Sequence, residues 1–283
     1  MHKPSVTTYT SHSSVTNPRA MVVQMFRDLA RSRDLGWRLA LRDIQAQYRQ
    51  AYLGIIWAFI APLSTTVTWL FLNGTGIISV GQTVLPYPVY IITGTILWSI
   101  MIDAMNAPLQ QTNAARDMLA KLNFPREGIL LSGIYQVLFN SGIKIIILIS
   151  TLLLLGITPS WSLLLFPLGI FSLILVGTVI GLLITPIGML YTDIGRAIPL
   201  IMNFVMYLTP VVFPMPKEGW IATLFQLNPM TSIILTSRDW LTGFTPDYLV
   251  YFLVVNAVAL FLLMLAWSAY RLAMPILIER MSS

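Results

Sequence analysis

Few side chains in this sequence could do chemistry, and two of them stand out by position. Asp103 and Lys144 are the ionisable residues that fall well inside long apolar runs. A charge at the centre of a membrane costs about 2.5–3.5 kcal/mol on insertion scales, so each needs a partner, a route to water or a function. The predicted helix ends place Asp103 about 8 Å and Lys144 about 23 Å from the same membrane face, which argues against a direct pair. Lys144 is expected either to reach outward along its own stem or to face an aqueous path, and the sequence leaves both open.

Other reactive groups are absent or far from the apolar part of the chain. There is no cysteine, and His2 and His12 both lie in a Ser/Thr-rich start that is typical of a disordered tail. These facts exclude thiolate chemistry and intramembrane histidine chemistry. No G-x-x-x-x-G-K-[ST] motif occurs, so the chain lacks the backbone cradle for ATP phosphates. We predict no catalytic residue, no metal site and no cofactor bound by this chain.

The composition is that of a protein dissolved in lipid. Hydrophobic residues make up 56% of the sequence and charged residues 10%, and the mean hydropathy is +0.76. Several apolar runs are long enough to cross a hydrocarbon core of about 30 Å. Proline, glycine and charged residues separate these runs. The resulting pattern predicts six spans, near residues 53–72, 87–108, 129–155, 163–190, 197–213 and 248–270.

The predicted fold class is an all-α integral membrane protein with six transmembrane helices. The segment 214–247 is moderately apolar but broken by prolines and charges, which favours a re-entrant pair of short helices between spans five and six. The predicted regions are a disordered cytoplasmic tail at 1–25, an amphipathic interface helix at 26–50, a transmembrane domain at 51–275 and a cytoplasmic end at 276–283.

Lys and Arg residues set the predicted topology. Fourteen of the seventeen lie on one predicted face, and only Lys217 and Arg238 lie on the other. By the positive-inside rule both termini are expected in the cytoplasm. The net charge of +6 and the pI near 9.7 then reflect topology and anionic lipid head groups rather than nucleic acid.

An amphipathic segment precedes the first span. An apolar stripe beside a basic stripe is typical of a helix lying in the membrane interface. An ordinary positive flank would explain the charges but not the apolar stripe. The apolar stripe is Trp37, Leu41, Ile44 and Tyr48, and the basic and polar stripe is Arg38, Arg42, Gln45 and Arg49.

The loop at 109–128 is longer than a turn between two spans requires. Its centre, "NAARDMLAKL", is helical in character and ends before Pro125. It is either a docking element for a partner or a solvated loop helix with Asp117 paired to Lys121. The docking hypothesis names Arg116, Asp117, Met118, Leu119, Lys121, Leu122, Phe124 and Arg126.

Aromatic rings and hydroxyls offer candidate walls for a sugar path, since the C–H face of a sugar packs on a ring. For each ring, packing against lipid is the competing interpretation. The hydroxyls of span one either line a polar path or satisfy carbonyls freed by Pro62. With Lys144, the candidates are Trp57, Ser64, Thr65, Thr68, Trp69, Trp98, Phe204 and Tyr207.

Four stretches in the expected order resemble one family. They are "LALRDIQAQYRQAYLGIIWAFIAPL", "KLNFPREGILLS", "GMLYTDIGRAIPLIMNFVMYLTPVVFPMP" and "LNPMTSII". Together they resemble the membrane subunit of an ABC-2-type exporter, in the branch that exports bacterial cell-surface polysaccharides such as O-antigen, capsule and teichoic acid. The resemblance covers roughly residues 35–275.

That resemblance implies a homodimer in the bacterial cytoplasmic membrane, working with two copies of a separate ATPase that binds ATP and Mg²⁺. It implies that the helix before span one and the loop between spans two and three contact the ATPase. The second cytoplasmic loop adds Asp193 and Arg196. The implied outer gate contains Pro216, Trp220, Leu224, Phe225 and Pro229.

Two other classes compete with this interpretation. A membrane-embedded glycosyl- or acyltransferase would need clustered acids or a nucleophile, which the sequence does not supply. A secondary transporter would normally show internal repeats and paired midplane charges. The expected function is therefore ATP-driven export of a lipid-linked polysaccharide, although neither the glycan nor its lipid can be named from the sequence.

Overall fold

The computed structural model describes residues 18–49, 56–78, 80–81, 83–121, 125–158, 160–216 and 218–282. Within these ranges the chain is helical, with a short 3-10 turn at Trp161–Leu164 and no β-strand. The predicted all-α class is confirmed. The helices are α1 (Pro18–Arg31), α2 (Arg33–Arg49), α3 (Trp57–Gly74), α4 (Tyr87–Ala114), α5 (Arg116–Lys121), α6 (Glu127–Leu154), α7 (Phe166–Leu190), α8 (Thr192–Tyr207), α9 (Trp220–Leu227), α10 (Pro229–Thr242) and α11 (Leu249–Ser282).

Four helices of the described ranges are long and apolar enough to cross a membrane: α4, α6, α7 and α11. They cover the predicted spans two, three, four and six. The predicted spans one and five correspond to α3, with 18 residues, and α8, with 16, and neither helix belongs to that set. The count of six spans therefore stays a prediction.

The pair α4 and α7 forms the centre of the bundle, because two glycines let the backbones meet. Gly177 and Gly181 stand four residues apart on α7. A Cβ at Gly177 would overlap the carbonyl of Met101 on α4, and one at Gly181 would overlap the carbonyl of Met105. Small residues at this spacing are a common means of close approach between membrane helices. The order of these contacts shows that α4 and α7 run in the same direction.

The bundle has two ends that the contacts of α4 identify. At one end Tyr90 lies against Arg238, and at the other the hydroxyl of Thr112 lies 3.2 Å from that of Tyr270 on α11. We call these the Tyr90 end and the Thr112 end. Under the predicted topology they are the outer and the cytoplasmic end.

The short helix α8 covers nearly the whole height between these ends. Near its start, a Cβ on Gly195 would lie 3.8 Å from Leu109 of α4. Just beyond its last residue, the Pro210 carbonyl accepts a hydrogen bond of 3.0 Å from the Tyr90 hydroxyl. Residues 192–210 therefore run from the Thr112 end to the Tyr90 end.

Three predicted boundaries differ from the structure. Helix α1 begins at Pro18, so residues 18–25 are not a disordered tail, and Met25 is buried against the bundle. Helix α11 continues to Ser282 through the predicted cytoplasmic end at 276–283. Helix α8 ends at Tyr207 rather than near 213, because the backbone at 208–213 leaves the helix to meet Arg238. These boundaries depend on tertiary contacts, which local hydropathy cannot predict.

A leucine at Gly181 is expected to separate α4 from α7. The added side chain overlaps α4 backbone, which cannot rotate away, so we expect a loss of about 2–3 kcal/mol in unfolding free energy. The matched control is Gly142→Leu on α6, where a Cβ meets nothing within 4 Å. Thermal unfolding of the detergent-solubilised protein measures both, and equal melting temperatures for the two variants would contradict the close α4–α7 contact.

Candidate functional site

The two intramembrane charges form an ion pair. Lys144 Nζ lies 2.7 Å from Asp103 Oδ2, joining α6 to α4. The expectation that the two residues differ too much in height is wrong. Helix α4 extends to Ala114, past the predicted end of span two at 108, so Asp103 lies about 17 Å from that end rather than about 8 Å. Neither outward reach nor an aqueous path is needed to account for Lys144.

A row of polar side chains runs along α6 and leads to this pair. Residues four apart share one face of a helix, so the row faces the same neighbours, α2 and α4. We call the row and its partners the polar seam. It consists of Ser132, Gln136, Asn140 and Lys144 on α6, Asp43 and Tyr48 on α2, and Asp103 and Gln111 on α4.

Gln136 is the junction of the polar seam. Its Nε2 donates to Asp43 Oδ2 at 3.1 Å, and its Oε1 accepts from Gln111 Nε2 at 2.9 Å. One turn further, the Tyr48 hydroxyl donates to Asn140 Oδ1 at 2.9 Å. Such bonds between membrane helices contribute about 0.6–2 kcal/mol each. The polar seam is not among the sequence predictions, although the four-residue spacing of polar side chains on α6 is a readable signal for it.

Helix α2 packs along α6 through small residues. Gly36, Ala40 and Ile44 are its buried strip, and a Cβ on Gly36 would lie 2.8 Å from the Cβ of Leu131. Burial, and then the charge of Asp103, raise the pKa of Tyr48, so its hydroxyl remains a donor at neutral pH.

The residues of the two predicted stripes of α2 lie in different environments, some packed against α6 and others exposed. Ile44 is buried, while the rings of Trp37 and Tyr48 make edge contacts with Tyr135 and Phe139 of α6 at 5.6 and 6.0 Å. The placement of α2 in the membrane plane stays a prediction. The exposed members of the two stripes include Arg38, Leu41, Arg42, Gln45 and Arg49.

The predicted docking loop is built around the short helix α5, which lies against α11 and the end of α4. Arg116 is exposed and Met118 half-buried. Leu119 is only 7% exposed, because α5 turns this side chain into the bundle, so it is a core residue of this chain rather than an anchor for a partner. Burial lowers the pKa of Arg126. Leu122 and Phe124 lie outside the described residues, as do the side chains of Asp117 and Lys121.

A second ionic cluster, missed from the sequence, joins three helices at the Thr112 end. Arg271 on α11 donates to Asp28 of α1 at 2.6 Å and to Glu127 of α6 at 2.8 Å. The exposed pair Asp193 and Arg196 lies at this end too, in the first turns of α8. Arg271 is one of the fourteen Lys and Arg residues of the predicted cytoplasmic face, and in the structure it fixes α1 to the bundle.

Arg238 on α10 is the most consequential residue that sequence reasoning missed. The sequence predicts it on the outer face as one of two positive charges, yet its side chain is only 2% exposed. Its guanidinium donates to the carbonyls of Pro210 (2.9 Å), Val211 (3.1 Å) and Tyr90 (3.3 Å), and to the Thr93 hydroxyl (3.2 Å). It also stacks 3.7 Å over the Tyr90 ring. Arg238 thus holds the irregular backbone at 208–213 against α4.

The candidate path-lining residues do not share one surface. Trp98 is 5% exposed within the core around α4, so it cannot offer its ring to a path in this conformation. Phe204 is 66% exposed on α8. The side chain of Trp57 lies outside the described residues.

The hydroxyls of α3 bond to the helix itself. Thr66 donates to the Pro62 carbonyl at 2.8 Å, and Thr68 to the Ser64 carbonyl at 2.9 Å. Ser64 and Thr68 are exposed and Thr65 is half-buried. Neither bond goes to the carbonyl four residues before Pro62, which is the one that this proline frees. A polar path and the satisfaction of freed carbonyls both stay predictions.

A group of three aromatic rings lies at the Tyr90 end. Trp69 of α3 makes edge contacts with Phe213 at 4.9 Å and with Tyr207 at 6.0 Å. Two of these rings also line a cavity of about 700 Å³, which we call the outer cavity. Its lining residues are Val80, Gly81, Tyr207, Leu208, Phe213, Pro214, Met215, Pro216, Ile221 and Phe225.

The predicted gate residues lie around the outer cavity. Pro216 and Phe225 line it, and Pro229 is the first residue of α10. Trp220 and Leu224 are exposed on α9. The segment predicted to be re-entrant therefore contains α9 and α10, and its relation to the membrane stays a prediction.

The sequence model of the family described as ABC-2 type transporter matches residues 35–240. The chain is 26% identical over 238 residues to an "O-antigen export system permease protein RfbA" of Klebsiella pneumoniae, covering 81% of this chain and 88% of that protein.

Two further relatives have similar coverage. An "O-antigen export system permease protein RfbA" of Myxococcus xanthus is 21% identical over 216 residues, covering 75% of this chain and 82% of the relative. The "Polysialic acid transport protein KpsM" of Escherichia coli is 21% identical over 241 residues, covering 80% of this chain and 86% of the relative.

Proposed function

Because this chain belongs to the ABC-2 type transporter family, we propose that it is the membrane subunit of an exporter of a lipid-linked cell-surface polysaccharide. Two copies form the path in the bacterial cytoplasmic membrane, and two copies of a separate ATPase bind ATP and Mg²⁺ and drive the transport. The observation that carries the proposal is the match to polysaccharide and O-antigen export permeases along three quarters or more of the chain. The family relationship favours this function over a membrane-embedded transferase.

The arrangement of α8 supports six crossings per subunit. Residues 192–210 reach from the Thr112 end to the Tyr90 end, as the contacts of Gly195 and Pro210 indicate. Helix α3 reaches the Tyr90 end through Trp69 and Phe213. A hydrocarbon core of about 30 Å needs roughly 20 helical residues. With α3 and α8 added to the four long apolar helices, both termini lie on the cytoplasmic side.

The Thr112 end supports docking of an ATPase. Here α5 presents exposed Arg116 while its inner side, at Leu119, is anchored in the bundle. The polar seam connects the adjacent α2 to α4 and α6. A push on α2 or α5 therefore acts on helices that are hydrogen-bonded or packed together, which is the mechanical requirement for coupling hydrolysis to transport.

The charge reversal Arg116→Glu is expected to weaken co-purification of the ATPase by about tenfold and to lower ATP-driven export in proteoliposomes. Exposed charges at an interface mainly set orientation and association rate, and reversal places like charges together. The fold should be unaffected because Arg116 is exposed. The control is Arg31→Glu, an exposed arginine at the end of α1. If both variants retain wild-type binding and export, α5 is not part of the docking surface.

A further inference from the structure

The outer cavity has a location and a lining that the export function does not by itself explain. It lies at the Tyr90 end, between the residues that follow α3, the end of α8 and the helix α9. Its volume of about 700 Å³ falls within the range of roughly 300–1,000 Å³ that is usual for ligand pockets.

The walls of the outer cavity suit a hydrocarbon chain. Leu208, Met215, Ile221 and Phe225 contribute apolar side chains, and Tyr207 contributes the phenol among the lining residues. Among the described residues that line the cavity, none carries a charged side chain. Apolar walls bind a hydrocarbon chain by shielding it from water or by packing against it as lipid tails do. They provide few hydrogen-bond partners for a free sugar.

Helix α9 places the cavity beside lipid rather than water. Phe225 faces inward and is buried, whereas Trp220, Leu224 and Leu227 are exposed on the outer side of the same helix. A helix that is apolar on both sides is typical of an apolar environment. Under the topology of the proposed function, α9 and the cavity behind it lie in the outer leaflet.

One wall of the cavity is also suited to sugar. Tyr207 and Phe213 line the cavity and, with Trp69, form the aromatic group at the Tyr90 end. Aromatic rings pack against hydrocarbon and also against the C–H face of a sugar ring. A hydrocarbon chain in the cavity would therefore leave its polar head beside these rings, which matches a molecule with a glycan attached to a lipid.

We propose that the outer cavity binds the hydrocarbon chain of the exported lipid-linked glycan where the chain enters the outer leaflet. This rests on the proposed function. The ligand class is a glycan joined to a long hydrocarbon chain. The aromatic group holds the sugar next to the linkage, and α9 separates the bound chain from bulk lipid.

A cavity-filling variant tests this directly. Gly81 lines the cavity and has no left-handed backbone angle. A Cβ there would make an ordinary contact with Pro214 at 3.8 Å, so Gly81→Phe adds a ring at the cavity wall without a backbone clash. The control is Gly74→Phe at the end of α3, which has nothing within 4 Å and does not line the cavity.

The probe is an oligosaccharide joined to a diazirine-bearing hydrocarbon chain, added to the full chain with its ATPase in nanodiscs under ATP turnover. We expect labelling of residues 207–225 in the wild type and in Gly74→Phe, and a loss of about tenfold in Gly81→Phe, which corresponds to 1.4 kcal/mol of binding. A phospholipid with the same diazirine chain should label these residues at least about tenfold less.

Equal labelling by the glycolipid and the phospholipid would show a bulk-lipid cavity and overturn the inference, as would unchanged labelling in Gly81→Phe. Transport of the unmodified glycolipid by the wild type is measured in parallel. Absence of that transport contradicts the proposed function itself, whereas normal transport with no labelling of the cavity contradicts only the binding site.

Discussion

Replacing Arg238 with methionine is expected to lower the unfolding free energy by about 3–5 kcal/mol, as judged from four lost charge-assisted hydrogen bonds at roughly 1 kcal/mol or more each. Methionine replaces the apolar stem of arginine but not the guanidinium, so the effect reports the loss of that group and of the space it fills. The carbonyl of Val211 then loses the donor that holds it against α4. Thermal unfolding of the solubilised protein measures the change.

Arg238→Lys separates charge from geometry. An ammonium retains the positive charge but cannot reach three carbonyls and a hydroxyl in one plane, because only the guanidinium has that forked shape. Lysine is therefore expected to recover less than half of the loss. Arg33→Met is the control, since the Arg33 side chain is 75% exposed and should change stability by no more than about 0.5 kcal/mol.

The same variant has a functional consequence at the Tyr90 end. Without Arg238, residues 208–213 lose the guanidinium that links them to Thr93 and to the Tyr90 carbonyl. On α4 they keep the hydrogen bonds that the Tyr90 hydroxyl donates to the Pro210 and Phe213 carbonyls, so one wall of the outer cavity loses part of its support. Export by Arg238→Met protein that is folded at low temperature should be impaired. A melting temperature equal to that of the wild type would show that the buried guanidinium is replaceable.

The fold class was predictable because its determinants are local. Apolar runs placed the starts of α4, α6, α7 and α11 within three residues, whereas α4 and α11 continue six and twelve residues past the predicted ends of their spans. The boundaries that failed depend on tertiary contacts. Helix α1 forms where Asp28 meets Arg271, which is 243 residues away in the chain, and hydropathy does not register such a pair.

Individual polar residues were harder to interpret than apolar runs. Arg238 looked like a loop charge because the sequence around it is broken by prolines, and only the fold brings Tyr90 and Pro210 to it. The polar seam had a readable signal in the spacing on α6, but its partners on α2 and α4 come from distant segments. The glycines of α7 likewise formed a G-x-x-x-G pattern whose partner helix the sequence does not name.

The Lys144–Asp103 pair gives the second large expected effect, and it is asymmetric. Asp103→Asn leaves an ammonium whose side chain is 9% exposed, whereas Lys144→Met leaves a carboxylate whose side chain is 36% exposed. Removing one partner of a buried pair costs about 3–5 kcal/mol. We expect a loss in this range for Asp103→Asn and a smaller loss for Lys144→Met, because the carboxylate that remains is less deeply buried in the protein.

The double variant Asp103→Asn/Lys144→Met should recover most of the loss, because it leaves no buried charge. Replacing both members of a buried ion pair by neutral groups is often close to neutral for stability. A double-mutant cycle of unfolding free energies in detergent then gives the coupling between the two residues. Ser150→Ala is the control on the same helix, since this exposed hydroxyl donates to the Ile146 carbonyl of α6 at 2.8 Å and links α6 to no other helix in the described structure. Two results together would contradict this pair: Asp103→Asn as stable as the wild type, and two substitutions whose effects simply add. Lys144 would then be stabilised by something other than Asp103, and the pair would not be what holds α4 to α6.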